Sequence, residues 1–253
     1  MQLLHGGKSI TLGEIAAEWD ATDTGALLEW LQANLRQDHR PISGAALVSD
    51  FNNKLRRRIG FEDAVLTALQ WPVLDAAKAK RPLTLGLRFL PGRVSDEDCG
   101  GKPGPPVGRK RETLLAGNFA LRGLPFAAEQ VSRVELPLQR VHWEGRLGDA
   151  RDPQRSPMLD AGVVTLVARG RSAAAARAWV QKVITDGKLD GPELLDFSID
   201  LLDAALRKAL ATLHFTGCRL VSAVEPVLGG AAVEATDSMQ LRFAVQVLDF
   251  KLA

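Results

Sequence analysis

The sequence predicts an α+β protein: an antiparallel β-sandwich or barrel with one packed helix, preceded by a small helical N-terminal region. Three observations carry this reading. Beyond residue 81, apolar residues fall at alternate positions in several segments, the period of a half-buried strand. One segment in that half, at residues 172–185, has the spacing of an amphipathic helix. The first 80 residues instead carry helix caps followed by apolar residues three or four apart. The expected organisation is therefore a helical region over 1–80 and a β domain over 81–253, with long loops at 95–110 and 144–157.

In the first region, Ser9 or Thr11 is placed to cap a helix carrying Ile15, Ala16 and Trp19, and Glu14 follows Thr11 as in a capping box. Asp23 or Thr24 precedes the stripe Leu27, Leu28, Leu31 and Leu35, which Pro41 brings to an end. Ser49-Asp50 opens a third helix through Phe51, Leu55 and Ile59. A fourth runs from Glu62 to Gln70 with Ala64, Val65, Leu66 and Leu69, before Trp71-Pro72.

The second region opens with Leu83, Leu85, Leu87 and Phe89 on alternate positions, stopped by Pro91-Gly92. Ser95 to Lys110 collects charges, four glycines and three prolines, and reads as a loop. Asn118 to Gly123 is a short strand and turn. Val131, Val134, Leu136 and Leu138, followed by Val141 and Trp143, are extended. Glu144 to Pro157 is the second long loop, and Val163 to Val167 is a buried strand. Ser172 caps a helix carrying Ala173, Trp179, Val183 and Ile184, closed by Asp186-Gly187. Strands follow at Phe197–Leu201, at Ala211–Val221, and at Leu241, Phe243, Val245 and Val247. Each alternating strand needs a sheet partner, which gives the antiparallel sandwich or barrel.

Composition narrows the function. With 32 Lys+Arg against 30 Asp+Glu, a net charge of +2 does not mark a polyanion binder. Two cysteines, Cys99 and Cys218, cannot make a disulfide scaffold or a four-thiolate zinc site. The N-terminus lacks a signal-peptide core, and no run approaches the roughly 20 apolar residues that span a bilayer. Cytoplasmic synthesis with reduced thiols is the expectation. His142, His214, Asp196, Asp200 and Asp203 are acid–base residue types, yet strand faces and turns account for them. Gly100-Gly101-Lys102-Pro103 is no phosphate loop, since proline replaces a donor and no helix follows. No catalytic residue, cofactor or metal is expected, although an enzyme with a dispersed site leaves no local motif. Lys54–Arg58 and Arg109–Arg111 are basic runs flanked by Asp50, Glu62, Asp63 and Glu112. They read as solvated faces or ion pairs; the alternative is a nucleic-acid-binding component of a ribonucleoprotein, gripping phosphates.

From about Lys110 onward the order of elements resembles the phage tail tube protein family, shared by contractile injection systems and the type VI secretion tube. The matching residues are Gly117–Leu124 with Val131-Ser-Arg-Val134, the polar loop ending near Pro157, and Val163–Leu166 leading into a helix with Trp179. Phe197–Leu201, Ala211–Leu220, Glu225-Pro226 and Met239–Val245 complete it. The resemblance implies a structural, non-enzymatic subunit on a tail-tube-type β fold, assembling into homo-oligomeric rings of six that stack. It implies partners among tube, baseplate and sheath proteins, no membrane, and assembly in the cytoplasm ahead of a released particle. The extra first 80 residues admit a tube initiator, terminator or adaptor beside a plain tube subunit. In such a ring the long loops are the natural interface, with Arg146, Arg151 and Arg155 meeting Asp96, Glu97 and Asp98 of another chain. Deleting residues 145–156 is then expected to leave the monomer folded and abolish assembly.

Overall fold

A computed structural model describes residues 2–5, 8–11, 13–20, 25–102, 113–142, 158–159, 162–186, 194–225 and 237–252. In chain order its strands begin with β1 (Gln2–His5), β2 (Lys8–Thr11), β3 (Ile15–Asp20), β4 (Ile42–Ser49), β5 (Leu55–Gln70) and β6 (Leu74–Asp75). They continue with β7 (Thr84–Leu90), β8 (Arg93–Asp98), β9 (Phe119–Arg122), β10 (Val131–Glu135), β11 (Leu138–His142) and β12 (Met158–Leu159). The last are β13 (Val163–Arg169), β14 (Leu195–Leu202), β15 (Ala209–Val224), β16 (Ser238–Ala244) and β17 (Val247–Leu252). The helices are α1 (Gly25–Leu35) and α2 (Gly170–Thr185).

Two long strands organise these pieces. β15 belongs to an almost closed, barrel-like antiparallel sheet of order β6-β10-β13-β16-β15-β14-β9, and β17 also pairs with β15. Its first half pairs with β17, from Ala211↔Leu252 to Thr216↔Val247, and its second half pairs with β16, from Arg219↔Ala244. The change of partner falls at Gly217, which has φ +66°, and a Cβ there would lie 2.3 Å from Gln246 Oε1. Only glycine takes that bend without strain. β5 plays the same part in a second sheet, of order β12-β11-β5-β7-β3. Its last residues pair with β7 and β11, while its first eight pair with β4 and β8. The break falls beside Asp63, at φ +52°.

The N-terminal region corrects the sequence reading. Of its four expected helices only the second forms, as α1; the others lie on β2, β3 and β5. The physical reason is that a spacing of four is also an even number. Ile15 and Trp19 face Phe89 and Leu85 across β7, and Ala64, Leu66 and Ala68 point inward on β5. The expected loop from residue 95 likewise begins as a strand, since Ser95–Asp98 complete β8. The expected closing strand through Val247 breaks at residues 245–246 into β16 and β17. Residues 144–157 lie outside the described residues.

One buried cluster runs through both sheets. Leu28, Leu31 and Leu35 of α1, Leu66 and Leu69 of β5, and Leu213 and Phe215 of β15 all belong to it. Trp71, just beyond β5, stacks obliquely on Phe250 of β17 at 5.5 Å and donates to Gln139 Oε1 of β11 at 2.9 Å. On the other side α2 buries Ala173, Ala176 and Val180, and Trp179 reaches Phe243 at 6.3 Å. Ser172 lies inside the first turn instead of capping it, and its hydroxyl accepts the Gln130 N–H at 2.9 Å. Gln130 Oε1 takes the Arg171 N–H at 2.8 Å, doing a cap's work from outside the helix. Strands on both sides of residue 80 share a sheet, because β5 and β3 both pair with β7.

Candidate assembly surface

The feature that the body of the fold does not explain is an arm. β4, the first half of β5, and β8 form a three-stranded antiparallel ribbon, with Ala46↔Ile59↔Asp96 as one rung. Successive residues of a strand point to opposite faces. Leu47 and Val48 are 51% and 46% exposed, so both faces of the ribbon meet solvent. Beyond Ile42 every residue of β4 is exposed. The arm has almost no core of its own.

Its backbone ladder is lined by cross-strand ion pairs instead. Arg58 faces Glu97 at 3.6 Å and Arg93 faces Glu62 at 3.0 Å, each pair directly opposite across the ladder. Arg57 grips Asp96 with two nitrogens, on the diagonal of the rung it shares with Asp98. The Arg57 hydrogen bond holds the Asp96 carboxyl below the usual aspartate range, and Asp96 raises Arg57 in turn. At the tip, Asp50 accepts the N–H of Asn52 at 3.0 Å and of Lys54 at 2.9 Å, and Arg56 pairs with it at 2.7 Å. The Lys54 N–H first, and then Arg56, lower the Asp50 carboxyl. Asn53 takes φ +56° to close the turn, and Phe51 projects from it fully exposed.

At its root the arm meets the body through Phe61, which packs on Phe89 at 4.9 Å. Between this root, β3, β7 and α1 lies a groove of about 480 Å³. Its lining includes Trp19, Leu27, Trp30, Ile59 and Phe61, and Glu18 is its one charged lining residue. Trp30 is fixed there by its Nε1–H bond to the Arg40 carbonyl at 2.6 Å, and α1 is tied to β17 by Arg36 and Asp249 at 3.1 Å. Among the described residues, β3 has no strand on its outer edge.

These positions bear on the expected site in two ways. Asp96 and Glu97 are on the arm, already matched by Arg57 and Arg58 of the same chain, and Asp98 lies opposite Arg57. Arg146, Arg151 and Arg155 lie outside the described residues. The three arginines of the first basic run are therefore matched locally by Asp50, Asp96 and Glu97; Arg109–Arg111 lie outside the described residues. Sequence reasoning missed the arm tip and the groove, because it assigned Trp19, Phe51 and Ile59 to helices. Among the described residues no three His, Cys, Asp or Glu gather as metal ligands. No helix among them is long and apolar enough to cross a membrane. Cys218 is buried, and that burial pushes its thiol up to about 12.

No protein-family model matches the sequence, and comparison with curated proteins gives no match. Comparison with solved structures gives partial similarities. The tube terminating cap of the anti-feeding prophage is 15% identical over 62% of this chain and 97% of its own, with a TM-score of 0.37. Hcp1 from Flavobacterium johnsoniae is 11% identical over 53% of this chain and 94% of its own, with a TM-score of 0.35. The sheath-tube complex of an extracellular contractile injection system in its extended state gives 14%, 54% and 89%, with a TM-score of 0.33.

Proposed function

We propose that this chain is a structural subunit of the tail-tube kind, joining copies of itself into sixfold rings that stack into, start or cap the tube of a phage tail or contractile injection system. The arm is the observation that carries this reading. A three-stranded ribbon normally needs one apolar face covered, by a helix or another sheet. Among the described residues nothing covers Leu47 and Val48 on its opposite faces, and a second molecule packed there would give it a core. The open edge of β3 has the same need, and ring neighbours meet it by covering the edge. The order of elements from residue 117 onward supports the same class of protein. Other tube, baseplate or sheath proteins are the proposed partners, and Arg146, Arg151 and Arg155 are proposed to reach a neighbouring chain. Neither catalysis nor a cofactor enters this role.

Size-exclusion chromatography with light scattering tests it. The purified chain should elute as a particle of several copies, or become one when tube or baseplate proteins are added. A monomer at every concentration, alone and with those proteins, refutes the reading.

A further inference from the structure

We propose that the arm tip of one molecule, led by Phe51, seats in the groove of Trp19, Trp30 and Phe61 in a second copy of this chain. The inference rests on the self-assembly reading and names the contact that would carry it. Nothing in the fold asks for a phenyl ring at residue 51: the turn is already fixed by Asp50, and Phe51 touches no core. Leu47 and Val48 behind it are exposed on opposite faces of the ribbon, so the arm next to Phe51 is apolar on either side.

The groove is the matching hole. At about 480 Å³ it is of the size that holds a small organic group, and its walls are almost wholly apolar. The charges agree as well. Glu18, on the open edge strand β3 that borders the groove and on its face opposite Trp19, has no ion-pair partner among the described residues, and neither has the ammonium of Lys54, three residues after Phe51. A molecule's own tip cannot fill its own groove. Ala46 and Ile59 line the groove and are paired in the ribbon, and β4 runs on for three more extended residues, about 10 Å, before the turn that carries Phe51. Folding back would break the ladder of β4, β5 and β8. The occupant therefore comes from another molecule, and a knob and hole at different places on one chain make a head-to-tail contact, which closes into a ring or runs on as a stack.

The test uses the full chain with Cys99→Ser. One preparation carries Phe51→Cys and a second carries Ala17→Cys, in the exposed floor of the groove. Mixed under mild oxidation, they should form a disulfide-linked heterodimer, which Phe51→Cys mixed with Val221→Cys should not. Phe51→Ser should weaken self-association by about tenfold or more, as for a buried aromatic anchor. Lys54→Glu should weaken it too, and adding Glu18→Lys to that chain should restore it. Assemblies that survive Phe51→Ser, with no mixed disulfide, overturn this contact and leave the assembly reading standing. A chain that never self-associates overturns both.

Discussion

Trp71, set between Gln139 of its own sheet and Phe250 of the other, gives the sharpest test of whether the two sheets fold as one unit. Both side chains are buried, at 2% and 0% exposure, and Trp71 Nε1 donates to Gln139 Oε1 at 2.9 Å. Trp71→Phe keeps a ring against Phe250 but strips the amide oxygen of its donor. Because Gln139 Nε2 has no partner among the described residues, the whole amide would then be buried unbonded. Leaving such a group unmade costs about 1–3 kcal/mol. Gln139→Leu strands the indole N–H and should cost about the same. A chain of this size loses about 2–4 °C of melting temperature per kcal/mol, so each single change should lower it by about 2–12 °C. The double variant removes donor and acceptor together, and should cost less than the sum of the singles by about 1–2 kcal/mol. Calorimetry on the four proteins reads this directly, and each should melt in one transition. Strict additivity, or one sheet melting ahead of the other, would refute the reasoning.

Phe243 lies fully buried between Phe197 at 5.8 Å and Trp179 at 6.3 Å, and Phe243→Ala should cost about 3–5 kcal/mol in denaturant unfolding. The backbone N–H of Arg207, with that of Lys208, lowers the Asp203 carboxyl. A depressed folded-state pKa stabilises above the ordinary aspartate value and stops doing so as pH falls through the lowered one. The gap in urea midpoint between the parent and Asp203→Asn should therefore hold steady near neutrality and close in acid. In the native protein a thiol reagent at pH 8 should modify Cys99 and spare Cys218, whose thiol burial raises to about 12; Cys218 should react after unfolding.

Much of the C-terminal half was legible in the sequence. Val163–Arg169, Leu195–Leu202 and Ala209–Val224 are strands where alternation places them, and α2 is the helix its spacing predicts. Alternation is readable where a strand has one buried and one polar face. β4 has neither: Ser43-Gly-Ala-Ala-Leu-Val-Ser49 is exposed throughout, so no hydrophobic period betrays it. On β5 and β3 the apolar residues are four apart, a spacing that fits a helix and a strand alike, and cap-like Thr11, Ser49 and Asp50 tipped the reading toward helix. The partner strands decide it, and they lie far along the chain. The same holds for the site. Arg57 and Asp96 were visible as charges, but their pairing across 39 residues follows from the register of β5 and β8, which no local pattern reveals.

Electron microscopy of the assembled particle tests the central claim most directly. The account predicts closed rings in which the ribbon of residues 42–62 and 93–98 is covered on at least one face by a neighbouring subunit. Rings whose arms stand free in solvent, or a preparation of single chains with and without tube proteins, would contradict it.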